Sequence, residues 1–125
     1  MRKPFVAGNW KMNGSLESVR ELLDGIKRGI ADVKNADVVV CPSYVYIPEA
    51  QQQLAGSEVA WGAQDLSIES AGAFTGEIAA SMLNDYACKY VIVGHSERRT
   101  YHAESDELVA KKYAAARAAG LVPIL

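Results

Sequence analysis

The chain has 125 residues, of which 50% are hydrophobic and 22% are charged, and its net charge at pH 7 is −2. This length and composition fit one globular domain of ordinary type. The slightly acidic balance, with no run of Lys and Arg longer than two, argues against nucleic acid as a partner.

Apolar runs and helical patterns alternate along the chain. Short apolar runs predict strands at residues 5–8, 38–41, 59–62, 90–93 and 121–125. Helical patterns predict helices at residues 15–30, 49–54, 77–85 and 105–120, and a further helix opening at Ser96. Ser15 is the expected N-cap of the first helix. Pro123 is an objection to the last strand, because proline cannot donate to a sheet.

Strands that alternate with helices predict a parallel sheet with right-handed crossovers. Five strands do not close an eight-stranded barrel, and an open doubly wound sheet fits the periodicity equally well. The last strand has no helix after it, so we expect the sequence to be part of a larger architecture. Residues 63–76 are too long for an ordinary connection, which indicates a functional or interfacial loop.

The sequence offers no sign of export or membrane insertion. No stretch approaches the ~20 apolar residues that span a bilayer, and the apolar run after the basic start is too short for a signal peptide. We therefore expect a cytoplasmic protein with no membrane partner. Cys41 and Cys88 form no CxxC pair and are expected to be reduced, mostly buried thiols.

Polar side chains follow the ends of three predicted strands, where parallel α/β proteins carry their working residues. They are Asn9 and Lys11 after the first, Ser43 and Tyr44 after the second, and His95, Ser96 and Glu97 after the fourth. Lys11 suits an anionic substrate such as a phosphate ester or an enediolate. A solvated surface lysine fits its position equally well.

His95 is the most informative of these residues. It precedes a predicted helix, whose positive N-terminal end disfavours an imidazolium. A neutral His95 that donates a hydrogen bond is one hypothesis, and a structural histidine at a strand end is the other. Glu97 could orient Lys11 or only stabilise the helix dipole, and His102 is expected to be a solvated surface residue with no role. Dinucleotide, Walker A, GxSxG and zinc-ligand patterns are missing from the sequence.

Five separated motifs resemble one family, the triose-phosphate isomerases. They are GNWKMN at 8–13, GAQD at 62–65, SAGAFTGEI at 70–78, VGHSERR at 93–99 and GLVPI at 120–124. They occur in the family's order and at its spacing along the whole chain. The resemblance implies that residues 1–125 are the N-terminal half of a single (β/α)8 TIM-barrel domain, with its first four βα units and the start of the fifth strand.

The resemblance also implies an activity and roles for residues. The family interconverts dihydroxyacetone phosphate and glyceraldehyde 3-phosphate through an enediolate, in glycolysis and gluconeogenesis, without cofactor or metal. Lys11 would hold the phosphorylated substrate and stabilise its negative charge, and Asn9 would contact the substrate beside it. His95 would donate to the carbonyl and enediolate oxygens, and a neutral histidine of this kind is characteristic of the family. Glu97 and Ser96 would support these residues from behind.

A homodimer is implied by the same resemblance. Thr75 would reach into the neighbouring subunit and brace Asn9 and Glu97 there. Glu77 and Arg98 would pair across the same interface. The length and low charge of the loop at 63–76 are consistent with this.

Family chains are about twice as long as this one, as expected for a barrel of roughly 250 residues. The family's glutamate base, its lid loop and its glycine-rich phosphate grip have no counterpart in these 125 residues. Proton transfer needs a base within hydrogen-bond reach, so we expect the chain to be inactive alone. The alternative is a non-catalytic or engineered half barrel that self-associates.

Overall fold

The computed structural model describes residues 2–125, which form one parallel sheet with helices between its strands. The strands are Phe5–Asn9 (β1), Asp37–Cys41 (β2), Val59–Ala63 (β3), Tyr90–Ile92 (β4) and Val122–Ile124 (β5). They lie in the sheet in their order along the chain, and every neighbouring pair is parallel. All five predicted strands are confirmed, and each bound lies within one residue of its prediction.

The helices are Leu16–Ile30 (α1), Ile47–Leu54 (α2), Ala80–Asp85 (α3), Ser96–Tyr101 (α4) and Asp106–Ala118 (α5). The predicted cap of α1 is confirmed, because the Ser15 hydroxyl accepts a hydrogen bond from the Ser18 N–H. Helix α2 begins earlier than predicted and follows a short 3-10 turn, Tyr44–Tyr46, that the periodicity did not indicate. Among residues 2–125, no helix is long and apolar enough to cross a membrane.

The prediction of a helix from residue 77 is wrong at its start. The Ile78 carbonyl accepts a hydrogen bond from the Ser67 N–H, and Ala79 is extended. The segment before α3 is therefore bonded to the opposite end of the long loop rather than to its own next turn. Apolar spacing alone could not distinguish these two arrangements.

The two faces of the sheet are covered differently. On the outer face, strand residues such as Val40 and Val91 pack against the helices. The inner cluster is made of strand residues alone: Val39, Cys41, Ala60, Tyr90, Ile92 and Ile124. A doubly wound sheet would carry helices on both faces, so this alternative is wrong.

The sheet is also curved. The rings of Phe5 on β1 and Tyr90 on β4 lie 5.0 Å apart between centroids. In a flat sheet, strands three positions apart would be separated by about 14 Å. The sheet therefore bends like the wall of a barrel, with helices outside, as the resemblance predicts.

Pro123 is accommodated because β5 lies at the edge of the sheet. The Val122 N–H donates to the Lys89 carbonyl, and the Ile124 carbonyl accepts from the Val93 N–H. These alternate residues bond to β4, so the nitrogen of the proline between them, whose register partner is Val91, points to the open edge of the sheet. The missing N–H therefore removes no hydrogen bond from the sheet.

Candidate active site

A cavity of about 390 Å³ lies at the carboxyl ends of the strands. It is lined by Asn9, Lys11, Met12, Gln64, His95, Glu97, Arg98, Tyr101 and His102. Asn9, Lys11, His95 and Glu97, which are far apart in sequence, thus meet as the strand ends predict. Ser96 is exposed and does not line the cavity.

Lys11 is held by an unusual backbone conformation. Its φ of 56° lies in the left-handed region, which costs a residue with a side chain about 1–3 kcal/mol. Three bonds fix it: the Lys11 N–H donates to Asn9 Oδ1 at 3.0 Å, and its carbonyl accepts from the Ser43 hydroxyl at 3.1 Å and from Gln64 Nε2 at 2.9 Å. This strained turn carries the ammonium into the cavity.

The Lys11 ammonium forms an ion pair with Glu97 across the cavity. Nζ lies 2.7 Å from Oε1, and both side chains are about half exposed. The hydrogen bond from Lys11 lowers the pKa of Glu97, against the opposing effect of partial burial. Of the two sequence hypotheses for Glu97, orientation of Lys11 is therefore the one supported by a direct contact.

His95 caps the N-terminus of α4 through its side chain. Its Nδ1 accepts a hydrogen bond from the Glu97 N–H at 3.1 Å. A nitrogen that accepts must carry a free lone pair, so the ring's proton lies on Nε2 and the ring is neutral. The Nδ1 to Glu97 Oε2 separation of 3.5 Å is too long for a strong hydrogen bond. Nε2–H is left as a donor for whatever occupies the cavity.

Sequence reasoning gave Gln64 no role. Its Nε2 donates both to the Lys11 carbonyl and to the Cys41 carbonyl, each at 2.9 Å. The side chain therefore ties the end of β2 to the strained turn that carries Lys11. Gln64 directly follows the end of β3, and Asn9 is the last residue of β1, so the strand-end rule could have found Gln64 as well.

His102 and Tyr44 also lie near the site. His102 is exposed, as predicted, but it lines the cavity, which the sequence did not indicate. The Tyr44 hydroxyl donates to the Asp65 carbonyl, and burial raises the pKa of Tyr44. Tyr44 therefore braces the loop after β3 and does not enter the cavity.

A cluster of four charged side chains lies behind the cavity. Lys112 Nζ donates to Asp65 Oδ1 at 2.7 Å and to Glu104 Oε2 at 2.6 Å. Arg98 Nε donates to the same Glu104 oxygen at 2.7 Å, and Nη2 lies 3.2 Å from Asp65 Oδ2. The side chains of Lys112, Asp65 and Glu104 are 8%, 9% and 2% exposed, so these three are almost entirely removed from water, whereas that of Arg98 is 33% exposed. The sequence gave no sign of it.

The two carboxylates of this cluster differ in acidity. Burial raises the pKa of Asp65, because the bonds from Lys112 and Arg98 only partly offset the loss of solvent. Burial also disfavours ionised Glu104, but hydrogen bonds from Lys112 and Arg98 outweigh it, and the pKa of Glu104 is lowered. Its second oxygen, Oε1, is buried and has no partner among residues 2–125.

Glu77 and Arg98, two of the residues expected at a dimer interface, line one cavity of about 430 Å³ within this chain. Thr75 and Glu77 are exposed on the long loop. Arg98, the expected partner of Glu77 across the interface, is bound within this chain by Asp65 and Glu104. The Arg98 side chain is one-third exposed.

The remaining candidates for chemistry are the two cysteines and any group of potential metal ligands. Cys41 and Cys88 are free and buried, as predicted, and burial raises the pKa of their thiols to about 12 and about 11. Within residues 2–125, no three His, Cys, Asp or Glu side chains are grouped so as to hold a metal ion.

Comparison with known proteins identifies the chain's relatives. A family model described as triosephosphate isomerase matches residues 4–125. A triosephosphate isomerase of Photorhabdus laumondii is 51% identical over 125 residues, which are 100% of this chain and 49% of the relative. One from Actinobacillus pleuropneumoniae serotype 3 is 54% identical, covering 99% and 49%. The crystal structure of triosephosphate isomerase from Bartonella henselae superposes with a TM-score of 0.91 at 41% identity, covering 98% of this chain and 50% of that one. The chain thus spans about half the length of these relatives.

Proposed function

The chain belongs to the triosephosphate isomerase family, and we propose that it supplies the substrate-binding half of an active site that interconverts dihydroxyacetone phosphate and glyceraldehyde 3-phosphate. The fold is a partial TIM barrel. In this proposal residues 1–125 are the N-terminal half of one barrel domain, and the enzyme acts in glycolysis and gluconeogenesis in the cytoplasm. No cofactor or metal takes part.

The observation that carries the proposal is that Lys11 and His95 face one cavity with different chemistry. The Lys11 ammonium attracts the phosphorylated triose and stabilises the negative charge that develops on the enediolate. The Nε2–H of neutral His95 donates to the substrate's carbonyl and enediolate oxygens. Asn9 contacts the substrate beside Lys11.

Glu97 and Ser96 support this half-site. The ion pair with Glu97 holds Lys11 until the anionic substrate competes for the ammonium. Ser96 lies next to His95 as the first residue of α4. Its part is to begin the helix whose first turn places the Glu97 N–H against the imidazole.

Proton transfer requires a base, which in the family is a glutamate that has no counterpart among these 125 residues. Among the described residues that line the cavity, the one carboxylate is that of Glu97, and it is already bonded to Lys11. In our proposal the base, the lid and the phosphate grip come from the part of the relatives that the match does not cover. The 125 residues are therefore inactive by themselves.

A homodimer is part of the proposal. Thr75 and Glu77 lie on an exposed loop, and Phe74 beside them is 46% exposed. Tyr101, at the rim of the cavity, is 78% exposed. Exposed apolar side chains of this kind favour contact with another protein surface. In the dimer, Thr75 braces the partner's site and Glu77 approaches Arg98.

The test is an isomerase assay of the purified chain, alone and mixed with the remaining half of the Photorhabdus laumondii relative. We expect no activity alone and recovery on mixing, with complex formation followed by sedimentation. Lys11→Met in the mixture should abolish the recovered activity, and Lys111→Met, an exposed lysine on α5, should not. A complex that forms and stays inactive would contradict the proposal and favour a non-catalytic half barrel. Activity of the chain alone would contradict the assignment of the base.

A further inference from the structure

Lys112 is a buried lysine with two carboxylate partners from different loops. It lies on α5, and its side chain is 8% exposed. Asp65 follows β3, and Glu104 lies in the connection between α4 and α5. A charge this deep is tolerated only when it is paired and hydrogen-bonded. The two short bonds to Asp65 and Glu104 supply that pairing.

The same two carboxylates also bind Arg98 on α4. Arg98 contributes one positive charge and Lys112 another, so the cluster of four is electrically balanced. Removal of Lys112 would leave two buried carboxylates sharing one guanidinium. Arg98 and Lys112 are thus linked through the two carboxylates that they share.

Helix α4 has little else to hold it. It is six residues long and buries none of them. A helix this short is not stable through its own hydrogen bonds, so contacts outside it must fix it. Those contacts are the ion pair of Glu97 with Lys11, the bonds of Arg98, and the bonds of Arg99 to the Gly94 carbonyl and Asp106. Lys11 and Glu97 are about half exposed and Asp106 almost fully exposed, whereas the partners of Arg98 are buried, so Arg98 is the strongest anchor.

The anchored helix begins at the site. His95 is its N-cap, and Glu97, the residue before Arg98, forms the ion pair with Lys11. On the other side, Asp65 directly follows Gln64, which bonds to the Lys11 carbonyl. The cluster is therefore connected to Lys11 twice: Arg98 is next to Glu97, and Asp65 is next to Gln64.

We propose that Lys112 is a positioning residue for the site: it holds Asp65 and Glu104, these hold Arg98, and α4 is thereby fixed so that Glu97 meets Lys11. The importance of that meeting for catalysis rests on the proposed function. The contacts that lead from Lys112 to Glu97 do not depend on the proposed function, and they can be tested without an activity assay.

The test is an NMR titration of the Glu97 carboxylate in Lys112→Met, with Lys111→Met as the matched control. Lys111 is the exposed neighbour on the same helix, so both variants lose one positive charge from α5. We expect the pKa of Glu97 to rise toward its ordinary value in Lys112→Met, because the contact with Lys11 loosens. It should keep its lowered value in Lys111→Met. Signals of α1, far from the cluster, should be unchanged in both.

A second variant covers the case in which Lys112→Met does not fold. Lys112→Met combined with Asp65→Asn removes one charge of each sign, so the cluster stays balanced while the link to α5 is lost. The same upward shift of the Glu97 pKa is expected. A folded variant of either kind with an unshifted Glu97 would overturn the proposal. Unfolding of the balanced variant would overturn it too, because the cluster would then stabilise the whole fold rather than α4.

The outcomes for Lys112 and for the proposed function are separable. Recovery of isomerase activity on mixing, together with an unshifted Glu97, would reject the positioning role alone. A shifted Glu97 in a chain whose complex stays inactive would reject the isomerase alone.

Discussion

Two lysines of this chain form ion pairs in opposite surroundings. Lys11 and Glu97 are about half exposed and face a cavity, whereas Lys112 lies with Asp65 and Glu104 out of contact with water. Water and salt compete for the first pair, so its bond is weak and exchangeable. The second is strongly held, because neither partner can be solvated if the other is lost. The exposed pair is therefore open to competition from an anion, whereas the buried cluster is a fixed part of the fold.

The largest expected effect is on stability, in the buried region. Lys112→Met should lower the free energy of unfolding by about 3–5 kcal/mol, because it leaves a carboxylate uncompensated in the interior. Denaturant unfolding followed by circular dichroism measures this. Lys111→Met is the control and should unfold at the same denaturant concentration as the parent chain. Equal stability of the two variants would mean that the buried cluster contributes nothing.

For Lys11 we expect a large effect on activity and a small effect on stability. Under the proposed function, Lys11→Met should lower kcat/KM of the complemented chain by on the order of a hundred-fold or more, since the proposal assigns to Lys11 the charge that stabilises the developing enediolate. Its unfolding midpoint should stay close to that of the parent chain, because the lost ion pair is exposed. Paired activity and unfolding measurements on one preparation test this. If Lys11→Met kept its activity, or lost as much stability as Lys112→Met, the proposed difference between the exposed pair and the buried cluster would be contradicted.

A smaller effect is expected at Gly62, on the strand that leads to Gln64 and Asp65. A Cβ built there would lie 2.3 Å from the Tyr90 carbonyl oxygen, which is backbone and cannot swing away. Gly62→Ala should therefore destabilise the chain by about 1–3 kcal/mol. Gly25→Ala is the matched control: nothing lies within 4 Å of its added Cβ in α1, so the change should stabilise the helix by up to about 1 kcal/mol. Thermal unfolding that ranked the two variants in the reverse order would contradict the close packing of β3 on β4.

The smallest expected effect is the change that salt makes to the pKa values of Glu97 and Glu104. Hydrogen bonds from lysine lower the pKa of Glu97 and, against burial, that of Glu104. Molar salt should raise the pKa of Glu97 toward its ordinary value, because the pair with Lys11 is exposed to ions. The pKa of Glu104 should hardly move. Carboxylate titrations by NMR at low and high salt measure both, and equal responses would show that burial does not separate the two regions.

The directions of the pKa shifts also determine whether the free energy of unfolding rises or falls with pH. A carboxylate with a lowered pKa, as for Glu97 and Glu104, stabilises the fold at neutral pH and loses that contribution as pH falls through its folded pKa. Asp65, whose pKa is raised, acts in the opposite sense and favours the fold more as it takes up its proton. Glu104→Gln should therefore make the unfolding free energy less sensitive to pH below about 4.3, the ordinary pKa of a glutamate. If the unfolding free energy of Glu104→Gln fell with pH as steeply as that of the parent chain below about 4.3, the lowered pKa of Glu104 would be contradicted.

The strand ends were predictable from the sequence, and the buried cluster was not. Asn9, Lys11, His95 and Glu97 each follow an apolar run, and parallel strands bring such positions to one edge. Lys112 and Asp65 are 47 residues apart, and no local pattern joins them. Lys111 and Lys112 are adjacent on a helix with a weak apolar stripe, so periodicity did not tell which one is buried. The start of α3 was missed for a related reason, because a bond from Ser67 decides it.

The cavity presents a neutral His95, protonated on Nε2, beside the Lys11 ammonium. The most direct measurement is the pair of ¹⁵N imidazole shifts of His95 at neutral pH. We expect a protonated Nε2 and an Nδ1 with the shift of a hydrogen-bond acceptor, because Nδ1 receives the Glu97 N–H. A proton on Nδ1, or on both nitrogens, would contradict the account, since His95 could not then both cap α4 and serve as a neutral donor to the substrate.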